Sequence, residues 1–290
     1  MMDPSLRRRM KELEIRSLHL VNSRFMGEWA SNMRGQGLEF RDLREYVPGD
    51  DVRRLDWKAT ARSGHPQLRR YNEDRQQNIW LGIDLSASME GRKADLALEM
   101  AAVLGWAAVK QGDRFGLMAF TDSVELHRPP ARGEAQLWAV LEDLVEHKTR
   151  SKLTGFAEVW KFFLKHLSHR ATIIILSDFA SGLDIRMLGA LAMHHEVLAF
   201  QLVDPRETGE QISCPGLAPF EDSETGDLSW IDLSAGDVAR KLGESSRTSQ
   251  DQIRAGLRKA GVWYNTFTVD QDFIPPLMEF FHRRMEVLGA

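Results

Sequence analysis

An α/β fold with a doubly wound, mainly parallel sheet is predicted for this 290-residue chain by three observations. After residue 78, apolar strand-like runs alternate with segments of helical periodicity, which is typical of a parallel sheet with helices on both faces. An apolar content of 43% is enough for a substantial core. One connection between strands is too short for a parallel crossover, so one edge strand is expected to be antiparallel.

The first elements of the main domain set this pattern. A strand is predicted at 79–83, and a largely buried helix follows it, because apolar residues between 94 and 108 recur at helical spacing and also occupy other faces. The runs 114–120 and 124–127 are joined across only three residues, and so short a connection implies an antiparallel hairpin.

The later elements continue the alternation. An isoleucine-rich strand at 171–178 and a strand at 196–203 are followed by a turn-rich insertion in which Phe220 and Trp230 flank a predicted β-hairpin. A last strand is predicted at 262–269. The helices that separate these strands are predicted at 137–145, 156–167, 187–195, 235–260 and 276–287.

The chain is predicted to divide near residue 78. Residues 1–78 form an N-terminal helix and a small extended segment, and residues 79–290 form the main domain with an insertion around 205–233. The net charge is −4, with an excess of Lys and Arg in the first part and of Asp and Glu in the second. The charges interleave, as in the run 41–45, which favours intramolecular ion pairs or a protein interface over nucleic-acid binding.

Cysteine usage and hydropathy bear on the compartment. Cys214 is the single cysteine, which excludes an internal disulfide framework and fits a reducing compartment. No stretch approaches the roughly 20 apolar residues that span a bilayer, and the first residues have no apolar signal core. We therefore expect a cytoplasmic protein without direct membrane insertion. The sequence does not fix its oligomeric state.

Five oxygen-bearing side chains follow predicted strands or precede predicted helices, and we call them the strand-end cluster. They are Asp84, Ser86, Ser88, Thr154 and Asp178. The carboxyl ends of neighbouring parallel strands share one edge, so these side chains are expected to converge there. Carboxylates and hydroxyls are the hard oxygen ligands that Mg²⁺ prefers, and Mn²⁺ is also suited to them.

A structural interpretation of the same residues is also open. Asp and Ser after a strand are ordinary turn residues that satisfy their own backbone. Thr154 stands directly before a predicted helix, where its hydroxyl would serve as an N-cap.

In residue type and chain order, the strand-end cluster resembles the metal-ion-dependent adhesion site (MIDAS) of von Willebrand factor A domains. The resemblance implies a von Willebrand A-like, Rossmann-like fold and a bound Mg²⁺. Many such domains place two glycines before the threonine and a glycine after the last aspartate. This chain has Lys152 and Leu153 before Thr154, and Phe179 after Asp178.

Residues 39–62, the signature segment, contain the run R-E-Y-V-P-G-D-D-V-R-R-L-D-W. The run resembles the signature of a large, poorly characterised bacterial family whose members are often encoded beside MoxR-type AAA+ ATPases. The resemblance implies such an ATPase and a client protein as partners. The expected partner-binding residues are Arg44, Tyr46, Asp50, Asp51, Arg53 and Trp57.

The signature segment also has a purely structural interpretation. The residues at 48–51 are typical of a tight turn. Leu55 and Trp57 alternate as in a short strand that packs on the main domain.

The function predicted from these features is a non-enzymatic, metal-dependent protein–protein interaction module. It would act as an adaptor for a MoxR-type ATPase in the assembly or remodelling of a client. One alternative is a Mg²⁺- or Mn²⁺-dependent phosphoesterase that uses the same acidic cluster, and another is a scaffold with a vestigial metal site. The sequence contains no Walker A, H-E-x-x-H or G-x-S-x-G motif.

Overall fold

The computed structural model describes residues 40–47, 50, 55–71, 77–207, 217–221, 228–232 and 236–289, together with isolated positions between 11 and 29. The strands are β1 (Phe40–Glu45), β2 (Gln67–Tyr71), β3 (Asn78–Asp84), β4 (Arg114–Phe120), β5 (Val124–Ala131), β6 (Thr172–Ser177), β7 (Glu196–Val203), β8 (Leu217–Glu221), β9 (Leu228–Asp232) and β10 (Trp263–Thr268). The helices are α1 (Trp57–Ser63), α2 (Arg92–Gln111), α3 (Glu134–Glu146), α4 (Phe156–His166), α5 (Ile185–His194), α6 (Gly236–Lys259) and α7 (Ile274–Gly289).

Six strands form the central sheet in the order β10-β7-β6-β3-β4-β5. Every neighbouring pair is parallel except β4 and β5, which are antiparallel. This confirms the mainly parallel sheet and its antiparallel edge strand. Strand β6 is buried at all six positions and β3 at six of seven, because both strands lie in the middle of the sheet with helices on each face.

Two apolar layers cover the faces of this sheet. One contains buried residues of α2, α3 and α7, and the other contains buried residues of α4, α5 and α6. Helix α2 is buried at most positions from Lys93 to Ala108, as its apolar spacing predicts. Leu13 and Trp29 also belong to the first layer, where the Trp29 ring meets the edge of Phe281 at 5.5 Å.

The smaller elements lie outside the central sheet. Strands β1 and β2 form an antiparallel pair, and β8 and β9 form the hairpin expected within the insertion. The bounds of the expected N-terminal helix lie outside the described residues. Within the described part of the chain, no helix is both long and apolar enough to cross a membrane.

The short strand predicted around Leu55 and Trp57 is wrong. Asp56 caps helix α1 by accepting hydrogen bonds from the backbone of Lys58 and Ala59, at 2.9 and 3.0 Å, so Trp57 is the first helical residue. Leu55 forms only an isolated bridge with Leu68. An N-capping aspartate is a stronger local signal than the alternation of two apolar residues.

Candidate metal centre

Asp84 is the last residue of β3, and its carboxylate is held from two directions. Its Oδ1 accepts a hydrogen bond from the Ser86 backbone at 2.9 Å, and its Oδ2 accepts one from the Ser177 hydroxyl at 2.6 Å. Ser177 ends the neighbouring strand β6, so the contact joins two adjacent strand ends. Asp84 is 1% exposed, which fixes one carboxylate beneath the edge of the sheet.

The turn after β3 brings two hydroxyls together. Ser86 is fully buried, and its Oγ lies 3.1 Å from the Oγ of Ser88. A 3-10 turn at Ala87–Met89 follows. The backbone N–H of Ala87 donates to the carbonyl of Lys152 at 3.0 Å, which joins this turn to the loop that carries Thr154.

Thr154 is held at the same edge by its neighbour Gly155. The Gly155 N–H donates to the carbonyl of Thr121 at 2.9 Å, and a Cβ at Gly155 would approach the Asp122 backbone to 3.0 Å. Only glycine fits so close an approach without displacement. The prediction that Thr154 caps helix α4 is wrong, because the N-cap is Gly155 and no side chain caps it.

The Thr154 hydroxyl oxygen is buried and has no hydrogen-bond partner among the described residues. A buried hydroxyl in this state costs about 1–3 kcal/mol relative to a satisfied one. It lies on the loop that is bonded to the Ser86–Ser88 turn. Its hydrogen-bonding capacity is therefore unused within the described part of the chain.

Asp178 follows β6 and completes the strand-end cluster. Its Oδ1 accepts a hydrogen bond from the backbone of Ala180 at 3.0 Å, and its Oδ2 accepts one from the Lys93 ammonium at 2.8 Å. The next residue, Phe179, has a φ of 58°, in the left-handed region that favours glycine. Many of the resembled domains have a glycine at this position, whereas here a residue with a side chain adopts the positive φ.

The Phe179 side chain explains how this conformation is maintained. It is 1% exposed and stacks on Phe156 at a centroid distance of 5.4 Å and an interplanar angle of 18°. A left-handed conformation costs a residue with a Cβ about 1–2 kcal/mol. Burial of a phenylalanine side chain contributes about 1.5–3 kcal/mol, which offsets that strain.

The electrostatics of the cluster are dominated by burial. Burial raises the pKa of Asp84 to about 6, against the opposing hydrogen bonds from Ser177 and Ser86, and the charge of Asp178 raises it further. Burial alone would lower the pKa of Lys93, but the carboxylates of Asp178 and Glu207 raise it overall. When ionised, the carboxylates of Asp84, Asp178 and Glu207 carry three negative charges, and Lys93 carries one positive charge. A divalent cation would neutralise the net negative charge.

The donor set fits Mg²⁺ or Mn²⁺. Two carboxylates and three hydroxyls supply only hard oxygen ligands. In the described part of the chain, no three His, Cys, Asp or Glu side chains gather as a metal site, so any metal at this edge would need the hydroxyl oxygens as ligands. Of the three hydroxyls, that of Thr154 has no partner among the described residues, whereas those of Ser86 and Ser88 contact each other.

A second buried carboxylate, Glu125, supports the loop that carries Thr154. Its side chain is 1% exposed and accepts hydrogen bonds from the Thr121 hydroxyl at 2.6 Å and from the backbone of Arg150 and Ser151. The His147 ring lies 2.6 Å from its other oxygen. These contacts lower the pKa of Glu125 despite the burial that acts to raise it.

Sequence reasoning missed Lys93, Glu125, Ser177 and Glu207. Ser177 was next to a predicted ligand, so its position at a strand end was a usable signal. The other three are charged residues at a predicted helix start, in a predicted edge strand and in the predicted insertion, where a solvent-exposed role is the ordinary expectation.

In the signature segment, the described candidate partner-binding residues do not all gather at one place. Arg44 forms a bidentate pair with Asp50, with both N–O distances at 2.6 Å, and the Val47 N–H donates to Asp50 Oδ2 at 2.9 Å. Tyr46 is half-buried, and Trp57 is 72% exposed. Asp51 and Arg53 lie outside the described residues. The internal pair gives Arg44 and Asp50 a structural role, and partner contact by the six residues stays a prediction.

Fold and cluster together define an α/β protein with an oxygen-rich site at the carboxyl edge of a mainly parallel sheet. The chain belongs to the family described as protein of unknown function DUF58, whose family model matches residues 42–252. An uncharacterised protein of Mycobacterium bovis is 28% identical over 291 residues, a match covering 97% of this chain and 90% of that protein. An uncharacterised protein of Mycobacterium tuberculosis H37Rv matches to the same extent.

Two solved structures show a distant likeness. The conserved hypothetical protein BatB from Bacteroides thetaiotaomicron is 10% identical with a TM-score of 0.45, over 72% of this chain and 99% of that one. An aerotolerance-related membrane protein from Bacteroides fragilis is 10% identical with a TM-score of 0.44, over 73% and 99%.

Proposed function

We propose that this chain is a metal-dependent protein–protein interaction module of von Willebrand A-like architecture. The strand-end cluster would hold Mg²⁺, or Mn²⁺ in its place. The buried hydroxyl of Thr154, which has no partner among the described residues, carries the proposal, because its loop is hydrogen-bonded to the turn that holds Ser86 and Ser88. A mainly parallel sheet with one antiparallel edge strand supports the proposed architecture.

Each residue of the cluster would have a defined task. Asp84 is fixed by Ser177 and by the Ser86 backbone, so its charge stays at the base of the site. Ser86, Ser88 and Thr154 would supply neutral oxygens, and Asp178 a second charge. Mg²⁺ prefers six oxygen ligands and usually keeps some water. Five protein groups therefore leave room for a carboxylate from a partner, which the metal would bind by its positive charge.

The proposed partner is a MoxR-type AAA+ ATPase acting on a client protein in the cytoplasm. The basis is the resemblance of the signature segment to that of ATPase-associated proteins. Trp57 supports a contact surface in this segment, because its side chain is large and mostly exposed, and exposed tryptophans are frequent anchors of interfaces. No catalytic step is part of the proposal.

The test is binding of the full chain to the MoxR-type ATPase of the same organism, in Mg²⁺ and in EDTA. Asp84→Asn removes the charge and keeps the shape of the side chain, and it replaces one of the two accepting oxygens with an NH2 donor. Asp122→Asn is the matched control, because Asp122 is a nearby exposed aspartate outside the cluster. We expect Mg²⁺-dependent binding by wild type and by Asp122→Asn, and a loss of about tenfold or more for Asp84→Asn.

Equal binding in Mg²⁺ and EDTA would contradict the proposal and favour a scaffold with a vestigial site. Hydrolysis of phosphate esters that disappears in Asp178→Ala would instead favour the phosphoesterase. Circular dichroism of each variant checks that it is folded.

A further inference from the structure

Lys93 is a buried lysine beside the proposed metal site. It lies in the first turn of α2, where the positive end of the helix dipole disfavours a cation, and its side chain is only 2% exposed. Its Nζ donates to Asp178 Oδ2 at 2.8 Å and to Glu207 Oε2 at 2.6 Å. A buried ammonium is stable only with such partners, so these two carboxylates hold it in place.

Glu207 is positioned by a hydrogen-bonded turn at residues 204–207. Its N–H donates to the carbonyl of Asp204 at 3.0 Å, and the Asp204 carboxylate accepts hydrogen bonds from Arg92 at 3.0 Å to each oxygen. The adjacent residues Arg92 and Lys93 therefore hold the two ends of the turn 204–207. The side chain of Glu207 is 57% exposed, so it is accessible from the surface while bonded to a buried lysine.

The two oxygens of Asp178 have different partners. Oδ1 is bonded to the backbone of Ala180, and Oδ2 is bonded to Lys93. A divalent cation at the strand-end cluster would draw on the same carboxylate and would repel the ammonium at short range. Lys93 and the metal would therefore compete for the Asp178 carboxylate.

We infer that Lys93 is an internal cation that competes with the metal for Asp178, and that Glu207 is the second acceptor that holds Lys93 when the metal binds. The inference rests on the proposed function and adds its regulation. Lys93 lowers the affinity of the site for the metal. Glu207 raises that affinity by acting through Lys93. Because Glu207 lies at the beginning of the 205–233 insertion, a movement of the insertion that takes Glu207 away from Lys93 would weaken metal binding.

The test is Mg²⁺ titration of the full chain by calorimetry, with thermal unfolding in EDTA and in Mg²⁺. Lys93→Met is expected to tighten Mg²⁺ binding about tenfold or more, because it removes a positive charge in contact with a ligand. Glu207→Gln is expected to weaken it several-fold. Lys110→Met is the matched control, because it removes the same charge about 26 Å away along the same helix.

The double variant distinguishes action through Lys93 from a direct field effect. If Glu207 acts through Lys93, the Kd of Lys93→Met/Glu207→Gln equals that of Lys93→Met within about twofold, because the two effects are coupled. If the double variant differs from Lys93→Met by the same factor that separates Glu207→Gln from wild type, Glu207 acts on the metal by its own charge and the inference is overturned.

Failure of the inference can be separated from failure of the proposed function. Wild type that binds Mg²⁺, with Lys93→Met binding it no more tightly, overturns the inference alone. Absence of Mg²⁺ binding in both overturns the proposed function. Lys93→Gln keeps a hydrogen-bond donor without the charge, and it repeats the comparison if Lys93→Met does not fold in EDTA.

Discussion

The strand-end cluster and the signature segment are both rich in charged and polar side chains, but the two regions differ in how these side chains find hydrogen-bond and ion-pair partners. In the signature segment, Arg44 and Asp50 are partly exposed and bonded to each other. In the strand-end cluster, Asp84 is buried and the Thr154 hydroxyl has no partner among the described residues. Self-complementary exposed charges stabilise local structure, whereas a buried polar group with an incomplete set of partners has hydrogen-bonding capacity that water or a ligand can fill.

The aromatic residues of the two regions differ in the same way. Phe179 is buried and holds the backbone next to Asp178, whereas Trp57 is mostly exposed. Substitution at Phe179 should therefore change stability, and substitution at Trp57 should change binding.

The largest expected effect on stability is at Phe179. Phe179→Ala should lower the free energy of unfolding by about 3–5 kcal/mol, because it removes a buried aromatic side chain. The loss of unfolding free energy for Phe179→Gly should be about 1 kcal/mol smaller than for Phe179→Ala, since glycine adopts a positive φ without strain. Urea denaturation measures both values. A loss for glycine larger than that for alanine would contradict the account of backbone strain.

The next effect is at Glu125, whose carboxylate accepts hydrogen bonds from the backbone of the loop that carries Thr154. Glu125→Gln should cost about 1–3 kcal/mol at neutral pH through weakened hydrogen bonds to a buried carboxylate. It should also weaken Mg²⁺ binding, because the loop carrying Thr154 loses its support. Lys161→Gln, on the exposed surface of α4, is a control that should change neither quantity.

The same carboxylate predicts a pH dependence. The pKa of Glu125 is lowered in the folded chain, so its contribution is present above the ordinary glutamate pKa of about 4.3 and is lost as the pH falls through the lower folded value. Glu125→Gln should therefore make stability less sensitive to acid in this range. Denaturation at pH 3 to 6 measures it, and an unchanged slope would contradict the assignment.

The smallest effect on stability is expected in the signature segment. Trp57→Ala should change the free energy of unfolding by no more than about 0.5 kcal/mol, because its side chain is exposed. The same variant should weaken binding to the ATPase. Leu55→Ala, in the same segment, is a control for local folding. Unchanged binding of Trp57→Ala, measured by surface plasmon resonance, would exclude this side chain as an anchor.

Much of the fold could be predicted because its signals are local. The isoleucine-rich run at β6 and the three-residue connection between β4 and β5 indicate a buried strand and an antiparallel pair without any knowledge of packing. The hydroxyl and carboxylate residues of the strand-end cluster could be identified because each follows a predicted strand or precedes a predicted helix. Sequence alone could not show that Thr154 leaves its helix uncapped, since Gly155 takes that position through contacts with Thr121 and Asp122.

The rest of the site depends on contacts between distant residues. Lys93 reads as an exposed residue at the start of a helix, and only the fold brings it to Asp178, 85 residues later. Glu125 reads as one charge in an edge strand, and its role comes from the backbone at Arg150 and Ser151. Charged side chains give no periodic signal of this kind, so their partners could not be assigned from spacing.

Thermal unfolding of Thr154→Val in EDTA and in Mg²⁺ tests whether the Thr154 hydroxyl is a metal ligand, with Thr149→Val, at an exposed residue of the same loop, as the control. Valine keeps the shape of threonine and removes the unpartnered hydroxyl. We expect Thr154→Val to be as stable as wild type or more stable in EDTA, and to lose most of the stabilisation by Mg²⁺ that wild type and Thr149→Val show. A variant that is less stable in EDTA yet keeps the full Mg²⁺ stabilisation would contradict this expectation.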